Sequence, residues 1–184
     1  IDNAELTPIL NMLNAKYFIL NGDNAFIENE FRNGNAWFVS QVELVDSANE
    51  ELQKLGKADT KTTAVINQTK FKGKFNKFES NGNIILTNYS PNELTYKVSA
   101  EQGGIAVFSE IYYPGWTATI DGVELPVFRA NYVLRAIDLP KGDYELKMVF
   151  HPTSLKVTEA IAYTGLILLV VGIIFVLIKK SLPL

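Results

Sequence analysis

The sequence predicts a mixed fold: an α+β N-terminal part, an antiparallel β-sandwich of jelly-roll type, and one C-terminal transmembrane helix. Three observations carry this. Residues 160–178, AIAYTGLILLVVGIIFVLI, run without a charge. At about 1.5 Å per residue a helix of that stretch is about 28 Å long, close to the hydrocarbon thickness of a bilayer, and no polar stripe marks it as a soluble core helix. Between residues 81 and 150, short alternating runs are separated by Ser-Pro-Asn, Gly-Gly, Pro-Gly, Asp-Gly, Ala-Asn and Pro-Lys-Gly turns about every ten residues, the rhythm of a sandwich or jelly roll. The first 70 or so residues instead mix helical and strand signals.

In order along the chain, Thr7 caps a first helix with Pro8 at its opening position, followed by Ile9, Leu10, Met12 and Leu13. KYFIL (16–20) reads as a short apolar strand and NGDN (21–24) as a turn. AWFVSQVELV (36–45) reads as one strand with a covered and a wetter face, Trp37 being a core residue. Asp46 or Ser47 caps a second helix, Glu50 and Glu51 lie near its positive end, and Gly56 stops it. TTAVIN (62–67) is a further strand. KFKGKFNKF (70–78) sets lysines among phenylalanines and reads as an edge strand guarded by charge. In IDGVEL, Asp121-Gly122 suits a type I′ hairpin turn. The expected divisions are 1–68 (α+β), 69–155 (sandwich) and 156–184 (transmembrane helix with a short basic tail).

Composition narrows function. The net charge of −3 in 184 residues gives no field that calls for nucleic acid. Without cysteine there is no disulfide, thiol nucleophile or Cys metal site, and the single histidine, His151, supplies neither a metal centre nor a Ser-His-Asp triad. No phosphate-cradling glycine loop occurs. A glycoside hydrolase needs two acids across a cleft. Glu110 and Asp121 are available, but Asp121 is accounted for by its turn. The expectation is therefore no catalytic residue, no metal and no cofactor in this chain. The chain opens at Ile1 with neither an initiator Met nor a signal segment, and is expected to be a fragment or processed form. Lys179 and Lys180 after the apolar stretch against Lys156 before it favour a cytoplasmic C-terminus and an extracytoplasmic globular part.

Two segments carry candidate binding residues. In YYPGWTATIDG, Tyr112, Tyr113 and Trp116 offer faces on which a sugar ring stacks; the competing reading is a strand-end corner in which Tyr112 and Trp116 bury against the second sheet, Pro114 fixes φ and Gly115 takes a positive φ. In FRANYVLR, Arg129, Asn131, Tyr132 and Arg135 gather two guanidinium groups, an amide and a phenol suited to a phosphate or an acidic sugar. The competing reading makes Asn131 a turn residue and pairs the arginines with Asp121, Glu124 or Asp138. Either way the arginines are expected at the solvent or the rim. In the apolar helix, Gly165 and Gly172 lie seven apart on one face, which suits a neighbouring helix of a larger bundle.

YYPGWTATIDGVELPVFRANYVLRAIDLPKGDYELKMVFHP (112–152), followed by a terminal apolar helix and lysines, resembles the C-terminal end of YfhO-like bacterial membrane proteins. LNMLNAKYFIL (10–20) and GNAWFVSQVELVD (34–46) are similar to the segments that open the same domain. The resemblance implies a polytopic protein grouped with GT-C-like membrane glycosyltransferases, which take a lipid-linked sugar donor and modify cell-envelope glycans. It implies a catalytic acid in an early loop that this sequence does not contain, so the chain would be a non-catalytic accessory domain plus the last helix. Its partners would be the bilayer, the remaining transmembrane helices and a cell-envelope glycan or lipid-linked sugar. The alternative is a single-span anchored module that binds carbohydrate or serves assembly.

Overall fold

The computed structural model describes residues 6–19, 26–71 and 81–181 and divides the chain into two units, Ile1–Phe150 and His151–Leu184. The first holds α1 (Leu6–Met12), β1 (Tyr17–Ile19), β2 (Phe26–Glu28), β3 (Ala36–Phe38), β4 (Gln41–Val45), α2 (Ala48–Leu55), β5 (Thr63–Asn67), β6 (Gly82–Ser90), β7 (Glu93–Ala100), β8 (Gly104–Ile111), β9 (Trp116–Ile120), β10 (Val123–Leu125), β11 (Val127–Ala130), β12 (Leu134–Leu139) and β13 (Gly142–Phe150); the second holds α3 (Thr153–Ser181). The expected turn at 21–24 and the Lys/Phe stretch from residue 72 to 78 lie outside the described residues.

Two antiparallel sheets form the sandwich, one in the order β10-β9-β13-β7-β6 and one in the order β11-β12-β8-β3. Alternation along β8 explains why the second sheet is covered twice. Ala106 and Phe108 point to the first sheet, where they meet Tyr96, Val98, Leu146 and Met148. Ile105 and Val107 point the other way, to Met12, Trp37, Leu55 and Ile66. The α+β segment is thus a third layer on the outer face of the four-stranded sheet. Its β4 and β5 are parallel, joined by α2, as parallel pairing requires a crossover.

One strand boundary differs from the sequence reading. The run 36–45 is not one strand. Residues 36–38 pair with β8 and residues 41–45 with β5, and the backbone changes partners at Val39 and Ser40, whose N–H groups donate to Ile105 O and Thr62 O. The segment 1–68 therefore supplies an edge strand, β3, to the sandwich. A short apolar strand covered on both faces carries no local mark of the sheet it joins.

Local chemistry elsewhere follows the residues. Ser47 is the N-cap of α2, its Oγ accepting from Glu50 N at 3.2 Å, while Glu50 Oε2 accepts from Asp46 N at 3.0 Å. Gly56 closes the helix, but at φ −64°, so it is not the left-handed cap that its position implies. Asp121 and Gly122 have φ of 50° and 80°, as a type I′ turn needs. The apolar part of α3, Ser154–Lys180, is 27 residues with none of its side chains buried. That is about 40 Å of helix, enough for the hydrocarbon and both headgroup layers. Thr164 satisfies its hydroxyl by donating to Ala160 O at 2.7 Å, so this polar group needs no neighbour in lipid.

Candidate functional site

The corner 112–115 carries the chain from β8 in one sheet to β9 in the other. Gly115 takes φ 109° there, a value open to glycine and strained for other residues. The three aromatics do not share one flat face. Tyr112 turns to Phe71, ring centroids 5.4 Å apart and edge-on. Tyr113 is exposed and meets Phe150 at 6.0 Å. Trp116 is half-buried against the inter-sheet core and lies 5.4 Å from Phe150, its cross-strand partner. The corner reading of Trp116 matches this placement, whereas Tyr112 packs on Phe71 rather than on the second sheet.

Arg129 is half-buried, and Arg135 is not at the solvent or the rim at all. Arg135 is 3% exposed. On β12 it alternates with Leu134 and Ala136, which face the α+β layer, so it points between the sheets with Ile137. Its guanidinium carbon sits 3.8 Å from the Trp116 ring centroid, a desolvated cation–π stack worth about 2 kcal/mol. Nε donates to Ile111 O at 3.0 Å, and Nη2 lies 3.6 Å from Glu110 Oε2. Burial lowers the Arg135 pKa, opposed by Glu110; burial raises that of Glu110, opposed by Arg135. Tyr96, fully buried nearby, has its pKa raised by burial and by Glu110, and its hydroxyl has no partner among the described residues.

Arg129 stands directly opposite Arg135 in the β11–β12 register, yet it serves a different contact. Its Nη2 donates to Glu51 Oε2 at 2.8 Å, and its guanidinium lies over Tyr132 and Phe71 at 5.3 and 5.9 Å. Glu51 is 0% exposed, and its other oxygen accepts from Tyr132 N at 2.8 Å. Asn131 is fully buried and pairs with Val65 as a strand residue would: its N–H donates to Val65 O, and its Oδ1 accepts from Val65 N, both at 2.8 Å. Asn131 and Tyr132 reach these partners with φ of 50° and 68°, strain that the anchoring offsets. This loop clamps the sandwich to α2 and β5. The arginine partners are therefore Glu51 and Glu110, not Asp121, Glu124 or Asp138. Each arginine faces its own carboxylate, so neither offers a free fork to a phosphate.

Local pattern reading missed Glu51 and Glu110 as the arginine partners and Phe71 and Phe150 as the ring partners of the corner. For Glu51 one signal exists: it lies four residues before Leu55, and the two are the buried residues of α2. An open groove of about 390 Å³ lies on the far side of the corner, lined by Trp116, Thr117, Glu124, Leu125, Pro126 and Val127. Glu124 is the only charged group among its described lining residues. Among the described residues no cluster of His, Asp or Glu suits a metal ion.

Residues 56–162 match the family model described as bacterial membrane protein YfhO. That span is more than half of the 184 residues and takes in β5 to β13 and the first third of α3. Searches of curated proteins and of solved structures found no match. With an antiparallel sandwich leading into one apolar helix of membrane-spanning length, the chain belongs to the YfhO family of bacterial membrane proteins.

Proposed function

We propose that this chain is the extracytoplasmic accessory part of a polytopic, glycosyltransferase-like membrane protein that acts on cell-envelope glycans, and that it does no chemistry itself. The observation that carries the reading is the groove beside Trp116. Its volume of about 390 Å³ lies in the range of small-ligand sites and accommodates a sugar residue. The lining suits a saccharide: Trp116, Leu125, Pro126 and Val127 for C–H faces and the Glu124 carboxylate as acceptor. Of the residues the sequence offers for a ligand, Trp116 and exposed Tyr113 keep surface for one. Tyr112, Arg129, Asn131, Tyr132 and Arg135 are engaged internally, which speaks against an acidic sugar or phosphate at these arginines. Lys179 and Lys180 after the span, against Lys156 before it, support placing the sandwich outside the cytoplasm.

Binding of a panel of cell-envelope saccharides to the detergent-solubilised protein, wild type against Glu124→Ala, tests this. Glu124 is exposed, so its loss leaves folding intact. The expected result is saccharide binding by the wild type, weakened at least tenfold in Glu124→Ala with an unchanged melt. Failure of the wild type to bind, or equal affinity in the variant, removes the groove as a glycan site.

A further inference from the structure

The two ends of the sandwich differ in character. At the end where β13 leaves for α3, the register lines up Phe150 with Trp116, Val149 with Glu93, Ser90 with Glu93, and Ile111 with Leu134. Three large side chains stand uncovered at this rim: Tyr89 (65% exposed), Ile111 (55%) and Tyr113 (62%). At the opposite end, Gly142 pairs with Ala100 and Gly104 with Leu139, and the exposed residues there are Asn81, Glu101, Gln102, Lys141 and Asp143. Asn92 and His151 are also exposed at this rim, and Ile85 (51%) and Val123 (66%) are exposed away from it, so what distinguishes the rim is that it gathers both exposed tyrosines of the sandwich with Ile111. Tyrosine and isoleucine left uncovered together at one rim mark a contact surface.

Connectivity says what covers it. His151 and Pro152 alone separate β13 from α3, and three trans peptide links extend at most about 11 Å. A helix of about 40 Å fills a bilayer including its headgroup layers, so the chain enters lipid at this connector. Tyrosine, with an apolar ring and a hydroxyl that keeps to water, is enriched at the membrane–water interface. We infer that this rim is a lipid-contacting surface: Tyr89, Ile111 and Tyr113 rest on the headgroup layer of the bilayer that holds α3. The inference does not depend on the glycan reading of the groove.

The chain has no cysteine, so a single introduced one is its only thiol. The 184-residue chain carrying Tyr113→Cys, Tyr89→Cys or Asp121→Cys, each labelled with an environment-sensitive fluorophore, is reconstituted in phosphatidylcholine liposomes with and without a headgroup spin-labelled phosphatidylcholine. The expected result is at least twofold quenching at positions 113 and 89 and little at 121, which lies on the β9–β10 hairpin turn. Quenching at 113 and 89 no greater than at 121 overturns the inference. So does blue-shifted, unquenched emission at both rim positions, since a protein surface then covers the rim. Position 89 keeps the test open should Tyr113→Cys fail to fold.

Discussion

Replacing Glu51 by Ala tests the clamp between α2 and the sandwich. The wild-type carboxylate is fully buried and receives two charge-assisted hydrogen bonds, from Arg129 Nη2 and Tyr132 N, both at 2.8 Å. Each such bond contributes about 1.5–3 kcal/mol, and breaking a buried ion pair from one side costs about 3–5 kcal/mol. The Arg129 side chain is 23% exposed, so its guanidinium turns partly to water once the partner is gone, which puts the cost toward the lower figure. Tyr132 N–H has no such escape, because Asn131 and Val65 pin the loop. The expected loss is about 3–4 kcal/mol, or about 10 °C in the melting temperature of a domain of this size. Glu51→Gln keeps an acceptor for Tyr132 N–H and loses only the ion pair, so it costs about 1–2 kcal/mol. Both tryptophans, Trp37 and Trp116, lie in the unit that ends at Phe150. Their emission during urea unfolding in detergent therefore follows the sandwich and not α3. A cost below about 1 kcal/mol for Glu51→Ala, or equal costs for Ala and Gln, would refute the clamp.

Two further perturbations address the corner. Trp116→Ala removes a half-buried ring and the stack on Arg135, and is expected to cost about 3 kcal/mol, the low end for Trp→Ala because part of the ring is already wet; a change below about 0.5 kcal/mol in urea unfolding followed by Trp37 emission would mean that the ring is not part of the core. Glu110 is held above its usual value near 4.5 by burial, with Arg135 opposing. A carboxyl raised in the folded state binds its proton more readily there than in the unfolded chain. Its contribution is thus fully present below the ordinary carboxylate pKa and fades as pH rises through the raised folded value. Relative to Glu110→Gln, the wild type should gain stability as pH falls across that interval; a difference that is flat or grows with pH would contradict the burial account.

Those elements that local chemistry dictates were legible in the sequence. Ser47 and Glu50, three residues apart, specify the start of α2, Asp121-Gly122 specifies its hairpin, and an uncharged run of membrane length specifies α3. What was not legible depends on partners distant in sequence. Arg129 is 78 residues from Glu51, and Asn131 is 66 from Val65; nothing in FRANYVLR says that its charges are answered from within. Arginine defaults to the surface in any pattern-based reading, because burying a charge is costly unless it is paired. The pair is visible only once the chain has folded back. For the same reason the break at Val39 escaped notice, since alternation specifies faces and not neighbours. The groove beside Trp116 likewise needs the register of β9, β10 and β11.

The central proposal is a sandwich held outside the cytoplasm by the lipid-embedded helix α3. Labelling of single cysteines with a membrane-impermeant maleimide tests it most directly, with Asp121→Cys in the sandwich and Ser181→Cys beyond the lysines. The account predicts labelling at 121 in intact cells, and at 181 only after the membrane is opened. Labelling at 181 but not 121 in intact cells would reverse the topology, and labelling at both would remove the span.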